Sequence, residues 1–166
     1  KKIQTLEREA QCLKFLSGKR GFSTFIKYSE GNKYLVLIQK LLGYNLQMLL
    51  KICNHKFSLK TTLLIGRQMV QRLQTFHGVG LIHRDLKPDN VIIDSEGHAL
   101  LTDFGLSREN VRKSEFGAKS FCGSYAYLAP EMLKKQGHGK AVDWYLLGVI
   151  LYEMVTGLPP YYADDK

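Results

Sequence analysis

The chain has 166 residues, one domain's worth of sequence. Its 45% hydrophobic and 23% charged residues are ordinary globular usage, which excludes a disordered tail, a collagen-like repeat and a disulfide-stapled miniprotein. The formal net charge of +9 is unevenly spread: residues 1–90 hold 16 Lys and Arg against 5 Asp and Glu, and residues 91–166 hold 8 against 10.

In chain order, Leu6, Ala10, Leu13 and Leu16 recur at helical spacing and predict a helix over 5–16, with Glu7 and Glu9 in its first turn. Gly18 and Gly21 break that pattern. Residues 25–28 and 34–38 read as short strands around the turn Glu30-Gly31-Asn32. A short helix is expected over 45–53, and Ser58 is the expected N-cap of a long helix carrying Leu63, Val70, Leu73 and Phe76. Residues 82–90 are polar and loop-like. Residues 91–94 and 99–102 then predict a hairpin around Glu96-Gly97. Residues 105–124 read as an exposed Gly/Ser-rich loop, and the almost wholly apolar stretch 141–156 as a helix buried inside a larger body.

Cys12, Cys53 and Cys122 are an odd set without metal-ligand spacing, so reduced thiols are expected, and with them a location in the cytoplasm or nucleus. The opening Lys1-Lys2-Ile3 has neither an initiator Met nor a signal peptide, and is expected to belong to a longer chain. The longest apolar run, 144–152, falls far short of the ~20 residues that span a bilayer, so a soluble protein without membrane partners is expected.

Two clusters carry chemistry. The first is His83-Arg84-Asp85-Leu86-Lys87-Pro88-Asp89-Asn90, and the second is Asp103-Phe104-Gly105 at the end of an expected strand. Phosphoryl transfer requires a carboxylate that orients the attacking hydroxyl, oxygen ligands for Mg²⁺, and positive charge on the moving group. Asp85 can supply the first, Asn90 and Asp103 the second, and Lys87 the third. Each alone reads as a surface charge in a loop. In this order and spacing the set points to phosphotransfer.

These clusters, with Ala129-Pro130-Glu131, resemble a protein kinase catalytic domain, and Lys87 two places after Asp85 resembles its serine/threonine branch. The resemblance implies ATP and Mg²⁺ as cofactors and a protein substrate. It places Asp85, Lys87 and Asn90 in catalysis, Asn90 and Asp103 on the metal, and Ile92 against the nucleotide. Ser120 falls where the activation-segment phosphosite lies, which implies an activating kinase with Arg84 as the phosphate's partner. Ser124 matches the hydroxyl that bonds the catalytic Asp and Lys, and Glu131 closes the segment. Asp143 matches a buried structural acid, Glu9 the helix-borne partner of a strand lysine, and His83 and Phe104 two members of a hydrophobic spine. The basic balance also fits nucleic acid, but no binding motif supports it, and a solvated basic face is expected instead.

The two halves resemble different kinase groups. Leu41-Leu42-Gly43-Tyr44-Asn45-Leu46 and Lys56-Phe57-Ser58-Leu59-Lys60-Thr61 are similar to the casein kinase I group. Asp94-Ser95-Glu96-Gly97-His98, Ser120-Phe121-Cys122-Gly123-Ser124 and Asp143-Trp144-Tyr145 are similar to the AGC group. The switch falls near residue 90, where the charge balance also steps. From the second half a weak preference for basic peptides follows, through Asp89 and Glu153.

The resemblance implies an α+β, protein kinase-like fold: a mostly helical C-terminal lobe over 41–166 and a truncated β-rich N-terminal lobe over 1–40. By family spacing the Gly-rich loop and the strand lysine are missing, since Gly18-Lys19-Arg20-Gly21 follows the first helix. Two functions therefore compete: an active serine/threonine kinase, or a catalytically dead remnant serving as an interaction module. Intact Asp85, Asn90 and Asp103 favour the first.

Overall fold

A computed structural model describes residues 2–109, 125–135 and 137–163. Helix α1 (Lys2–Leu16) opens the chain, followed by strands β1 (Phe25–Glu30) and β2 (Leu35–Gln39), which pair antiparallel. Helices α2 (Leu46–Ile52) and α3 (Leu59–Gly78) lead to β3 (Leu81–Ile82). A 3₁₀ turn at Pro88–Asn90 precedes the antiparallel hairpin β4 (Val91–Ile93) and β5 (Ala99–Leu101). Strand β6 (Arg108–Glu109) pairs back onto β3, and α4 (Pro130–Leu133) and α5 (Ala141–Thr156) complete the described chain. The architecture is the expected α+β one.

Local chemistry accounts for the helix starts. Asn45 Oδ1 accepts from the Met48 amide at 2.8 Å and Ser58 Oγ from the Thr61 amide at 3.1 Å, each satisfying a donor that the first helical turn leaves orphaned. Helix α1 begins at Lys2 instead of residue 5, so its first turn holds no acid and Glu9 sits mid-helix. In α3 the expected stripe is half right. Leu73 and Phe76 are buried with Ile65 and Met69, whereas Leu63 and Val70 face outward.

The largest difference lies in 82–90. The segment is polar and irregular as expected, but His83, Arg84, Asp85, Leu86, Pro88 and Asn90 are all buried. Beyond it, Gly105 and Ser107 are buried while Arg108 is exposed, and residues 108–109 form β6, so this start of the expected exposed loop is only partly exposed and not all loop. The rest of that loop, residues 110–124, lies outside the described residues. Helix α5 matches its expected span but is not enclosed all round. Leu146, Ile150 and Met154 enter the core, while Trp144, Tyr152 and Val155 are exposed.

The core is built where α1, α3 and α5 meet the hairpin, with Leu13, Leu16, Met69, Leu73, Phe76 and Ile150 essentially inaccessible. Polar clamps fix the hairpin to α3. Gln68 donates to the Gly97 carbonyl at 3.2 Å and accepts from the Ala99 amide at 2.9 Å, and Arg72 Nε donates to the Ala99 carbonyl at 3.0 Å. The Leu101 amide reaches the Gly21 carbonyl at 2.9 Å, tying the connector after α1 to the same strand.

Gly21 is required twice over. Its φ is +90°, and a Cβ there would stand 1.7 Å from Arg72 Nε, whereas Gly18 at φ +81° has open space around it. Gly21→Ala is expected to cost about 2–4 kcal/mol in urea unfolding from strain plus displacement of the Arg72 clamp. Gly18→Ala should cost only the backbone share, about 1–2 kcal/mol. Equal losses would show that the clamp contributes nothing.

Candidate active site

The site is organised by a carboxylate far along the chain. Asp143, in the first turn of α5 and fully buried, accepts three hydrogen bonds. Its Oδ2 receives the His83 amide at 2.9 Å and His77 Nε2 at 2.7 Å, and its Oδ1 receives the Arg84 amide at 2.8 Å. A buried carboxylate is tolerable only when its lone pairs are filled in this way, and two buried backbone amides are satisfied by the same contact. His77 was not singled out by sequence. Its place near the end of α3, edge-on to Trp144 at 5.4 Å, is visible only in three dimensions.

The anchored backbone takes a left-handed turn at Arg84, with φ +71°, uncommon for a residue with a side chain. His83 donates through Nε2 to the Thr102 carbonyl at 2.9 Å and accepts the Asp85 amide at Nδ1, 3.4 Å away, which fixes the ring and the turn together. Asp85 is thereby presented beside its two expected partners. Lys87 Nζ lies 3.1 Å from Asp85 Oδ2, and Asn90 Nδ2 donates to the Asp85 carbonyl at 2.8 Å and to Oδ2 at 3.2 Å. Asn90 therefore spends its amide hydrogens on Asp85 and keeps Oδ1 as an oxygen donor.

Asp103 joins this group through Thr102, whose amide and hydroxyl both donate to the Asn90 carbonyl, at 3.0 and 3.1 Å. Like Arg84, Asp103 has positive φ, +60°, and its side chain is exposed. The next residues are held from α1: Arg8 donates to the Gly105 carbonyl at 3.4 Å, and a Cβ on Gly105 would stand 2.6 Å from Thr5 Cγ2. Phe104 stacks on Phe76 at 5.4 Å and meets His83 edge-on at 5.8 Å, with Phe22 capping the pair at 6.2 Å from each phenyl ring. The expected spine members His83 and Phe104 are thus joined by Phe22 and Phe76, whose aromatic periodicity in sequence gave no sign of a shared stack.

The remaining expected residues are distributed around this centre. Ile92 lies on β4, bridged to Asn45 before α2, and is half-buried. Arg84 is buried and donates through Nε to the Leu106 carbonyl at 2.8 Å and again through its terminal NH₂ to the same oxygen. Glu131 is half-buried in α4. Glu9 approaches Asp103 from α1, where burial first and the Asp103 charge second raise its carboxyl above the ordinary glutamate range. Among the described residues no lysine pairs with it. Ser120 and Ser124 lie outside the described residues. Near Asp89, Tyr127 donates its hydroxyl to Glu153 at 2.6 Å, and burial raises both groups above their ordinary ranges.

The donor set suits a hard divalent cation. Asn90 Oδ1 and the Asp103 carboxylate could offer it two oxygens, few in number, as suits an ion of the magnesium class. The described residues contain no His/Cys/Asp/Glu cluster able to enclose a metal by itself.

Two outcomes test this electrostatic picture. Asp143→Asn should lower unfolding free energy by about 2–3 kcal/mol, with exchange protection lost first at the His83 and Arg84 amides. Retained protection there would show that other contacts hold the loop. A carboxyl raised by folding costs stability once ionised, so Glu9→Gln should raise Tm by about 2–3 °C at pH 7 and by nothing at pH 3, where Glu9 is protonated folded and unfolded. A gain of the same size at both pH values would refute the charge explanation.

Residues 1–166 match the protein kinase domain family throughout. Among curated relatives, the chain is 46% identical over 110 residues to Protein kinase 2 of Dictyostelium discoideum, covering 66% of this chain and 22% of that protein. It is 52% identical over 89 residues to the human serine/threonine-protein kinase Sgk2, covering 54% and 24%. It is 48% identical over 100 residues to the RAC family serine/threonine-protein kinase homolog of Dictyostelium discoideum, covering 60% and 22%. The chain thus spans less than a quarter of the length of each of these relatives. They lend the casein kinase I-like reading of residues 1–90 no support. With the anchored loop, the Asp85–Lys87–Asn90 group and the neighbouring Asp103 all in place, the match over the whole chain identifies it as a member of the protein kinase domain family, of the serine/threonine type.

Proposed function

We propose that the protein carrying this chain transfers the γ-phosphoryl group of ATP to serine or threonine hydroxyls of other proteins. The observation that carries the reading is the convergence of Lys87 and Asn90 on one carboxylate oxygen of Asp85, 3.1 and 3.2 Å away. Among the described residues Asp85 Oδ1 is left to accept the substrate hydroxyl and aim its oxygen. Lys87 sets positive charge beside the same carboxylate, where the moving phosphoryl group passes. Asn90 and Asp103 would hold Mg²⁺, which supplies neutralisation of phosphate charge. Ile92 offers an apolar contact to the nucleotide base. The kinase relatives lend the alternative, a non-catalytic remnant, no support.

In this reading residues 1–40 belong to the N-terminal lobe and 41–166 to the C-terminal lobe. Ser120 is the site at which another kinase activates the protein, with Arg84 as partner of the added phosphate and Ser124 bonding the catalytic pair. Exposed Asp89 supports a weak preference for basic residues ahead of the target serine, while Glu153 is already committed to Tyr127. The exposed thiol of Cys53 supports a reducing compartment, cytoplasm or nucleus. Among the described residues no helix is long and apolar enough to cross a membrane.

The test is phosphate transfer from labelled ATP to a peptide library by the full-length protein. Asp85→Asn should lower kcat by about 10²–10⁴-fold with little change in nucleotide affinity. Asp103→Ala should weaken Mg·ATP binding itself. Undiminished transfer by Asp85→Asn, or a library ranking led by acidic peptides, would overturn the corresponding part of the proposal.

A further inference from the structure

His138 has no part in the chemistry above, yet its position is unusual. It lies on the connector between α4 and α5, is 8% exposed, and its buried Nε2 has no hydrogen-bond partner among the described residues. A buried polar atom left unpaired is costly and points to a group that completes it. The connector is held against the loop that bears Arg84. The Val142 and Asp143 amides donate to the Gly139 and Lys140 carbonyls, and Asp143 in turn grips the Arg84 amide at 2.8 Å. Ile82 packs in one apolar cluster with Ala129, Met132 and Val142, and Arg108 stands opposite Ile82 across the β3–β6 pair. The loop carrying Arg84, strand β6 carrying Arg108, and the connector carrying His138 are therefore joined through the Asp143 carboxylate and the Ile82 cluster.

We infer that His138 is a third, proton-linked member of an anion site with Arg84 and Arg108, taking up a proton when a tetrahedral dianion of the phosphate class enters. The inference rests on the proposed role of Arg84 as a phosphate partner and adds the regulation of that site. Without an anion, burial and then Arg84 hold the imidazole below the ordinary histidine range, with Arg108 acting the same way and Glu131 and Asp143 opposing. The ring is then neutral at pH 7 and adds no cost to two neighbouring guanidinium groups. A dianion between them reverses the field, and Nε2 becomes an N–H donor aimed at an acceptor. Anion binding and proton uptake are thereby linked, so the site tightens as pH falls.

Sulfate is the probe, because it stays dianionic from pH 5.5 to 8 and cannot contribute a titration of its own. Binding to the full-length protein is followed at the Arg84 Nε–H resonance, and the His138 ring nitrogens are followed in the same samples. The expected result is sulfate affinity that rises as pH falls, by at most about tenfold per unit, with His138 becoming protonated on saturation. His138→Gln should bind sulfate with a flat pH profile. Sulfate binding with an unchanged slope in His138→Gln, or with His138 still neutral in the wild type, would overturn the role of His138 alone. Absence of sulfate binding at both ends of the range would overturn the anion site itself, and the phosphate reading of Arg84 with it. The ring-nitrogen measurement needs no variant, so a misfolded His138→Gln leaves the test intact.

Discussion

The Asp143 carboxylate accepts the His83 and Arg84 amides and the His77 ring, and the rest of the site hangs from that one contact. It resolves a physical conflict. The segment 82–90 is rich in polar groups and yet buried, and irregular backbone cannot be buried unless its N–H and C=O groups find partners. A charge placed where the backbone turns satisfies two amides at once and makes the left-handed conformation of Arg84 affordable. Asp85 is then held in place with Lys87 and Asn90 already on it.

The second constraint is aromatic. Phe22, Phe76, Phe104 and His83 form one contiguous group, with centroid separations between 5.4 and 6.2 Å. These rings come from the connector after α1, from α3, from the Asp103-Phe104-Gly105 segment and from the Asp85 loop. A shift of α1 is therefore felt by Asp103 through Phe104, and directly through the Arg8 and Thr5 contacts to Gly105. The same route brings Glu9 toward Asp103, two acids in one neighbourhood, so that burial first and the Asp103 charge second make the Glu9 carboxyl hold its proton more tightly than an ordinary glutamate.

Features that depend on near neighbours in the chain are legible in the sequence. Ser58 caps its helix because a side-chain oxygen reaches an amide three residues on, and the hairpin over 91–102 follows from the turn residues between its strands. The order of Asp85, Lys87, Asn90 and Asp103 points to phosphotransfer because that chemistry needs those groups within one short span. Periodicity served less well on α3, where Leu63 and Val70 are as apolar as Ile65 and Met69. Choosing the buried stripe required knowing that α5 and the hairpin lie on the other side.

What only the tertiary structure decided is long-range and polar. The His83 and Arg84 amides meet Asp143 60 and 59 residues away, Tyr127 meets Glu153 26 residues away, and β6 pairs with a two-residue β3 too short to carry an alternating pattern. Hydrophobic periodicity records which face of an element is buried, but a hydrogen bond across the fold leaves no periodic trace at either end. The sequence by itself therefore determined which groups are available for chemistry and in what order. Whether the polar loop that bears them stands in water or is buried on a carboxylate was settled by packing, because only a folded chain brings Asp143 beneath it.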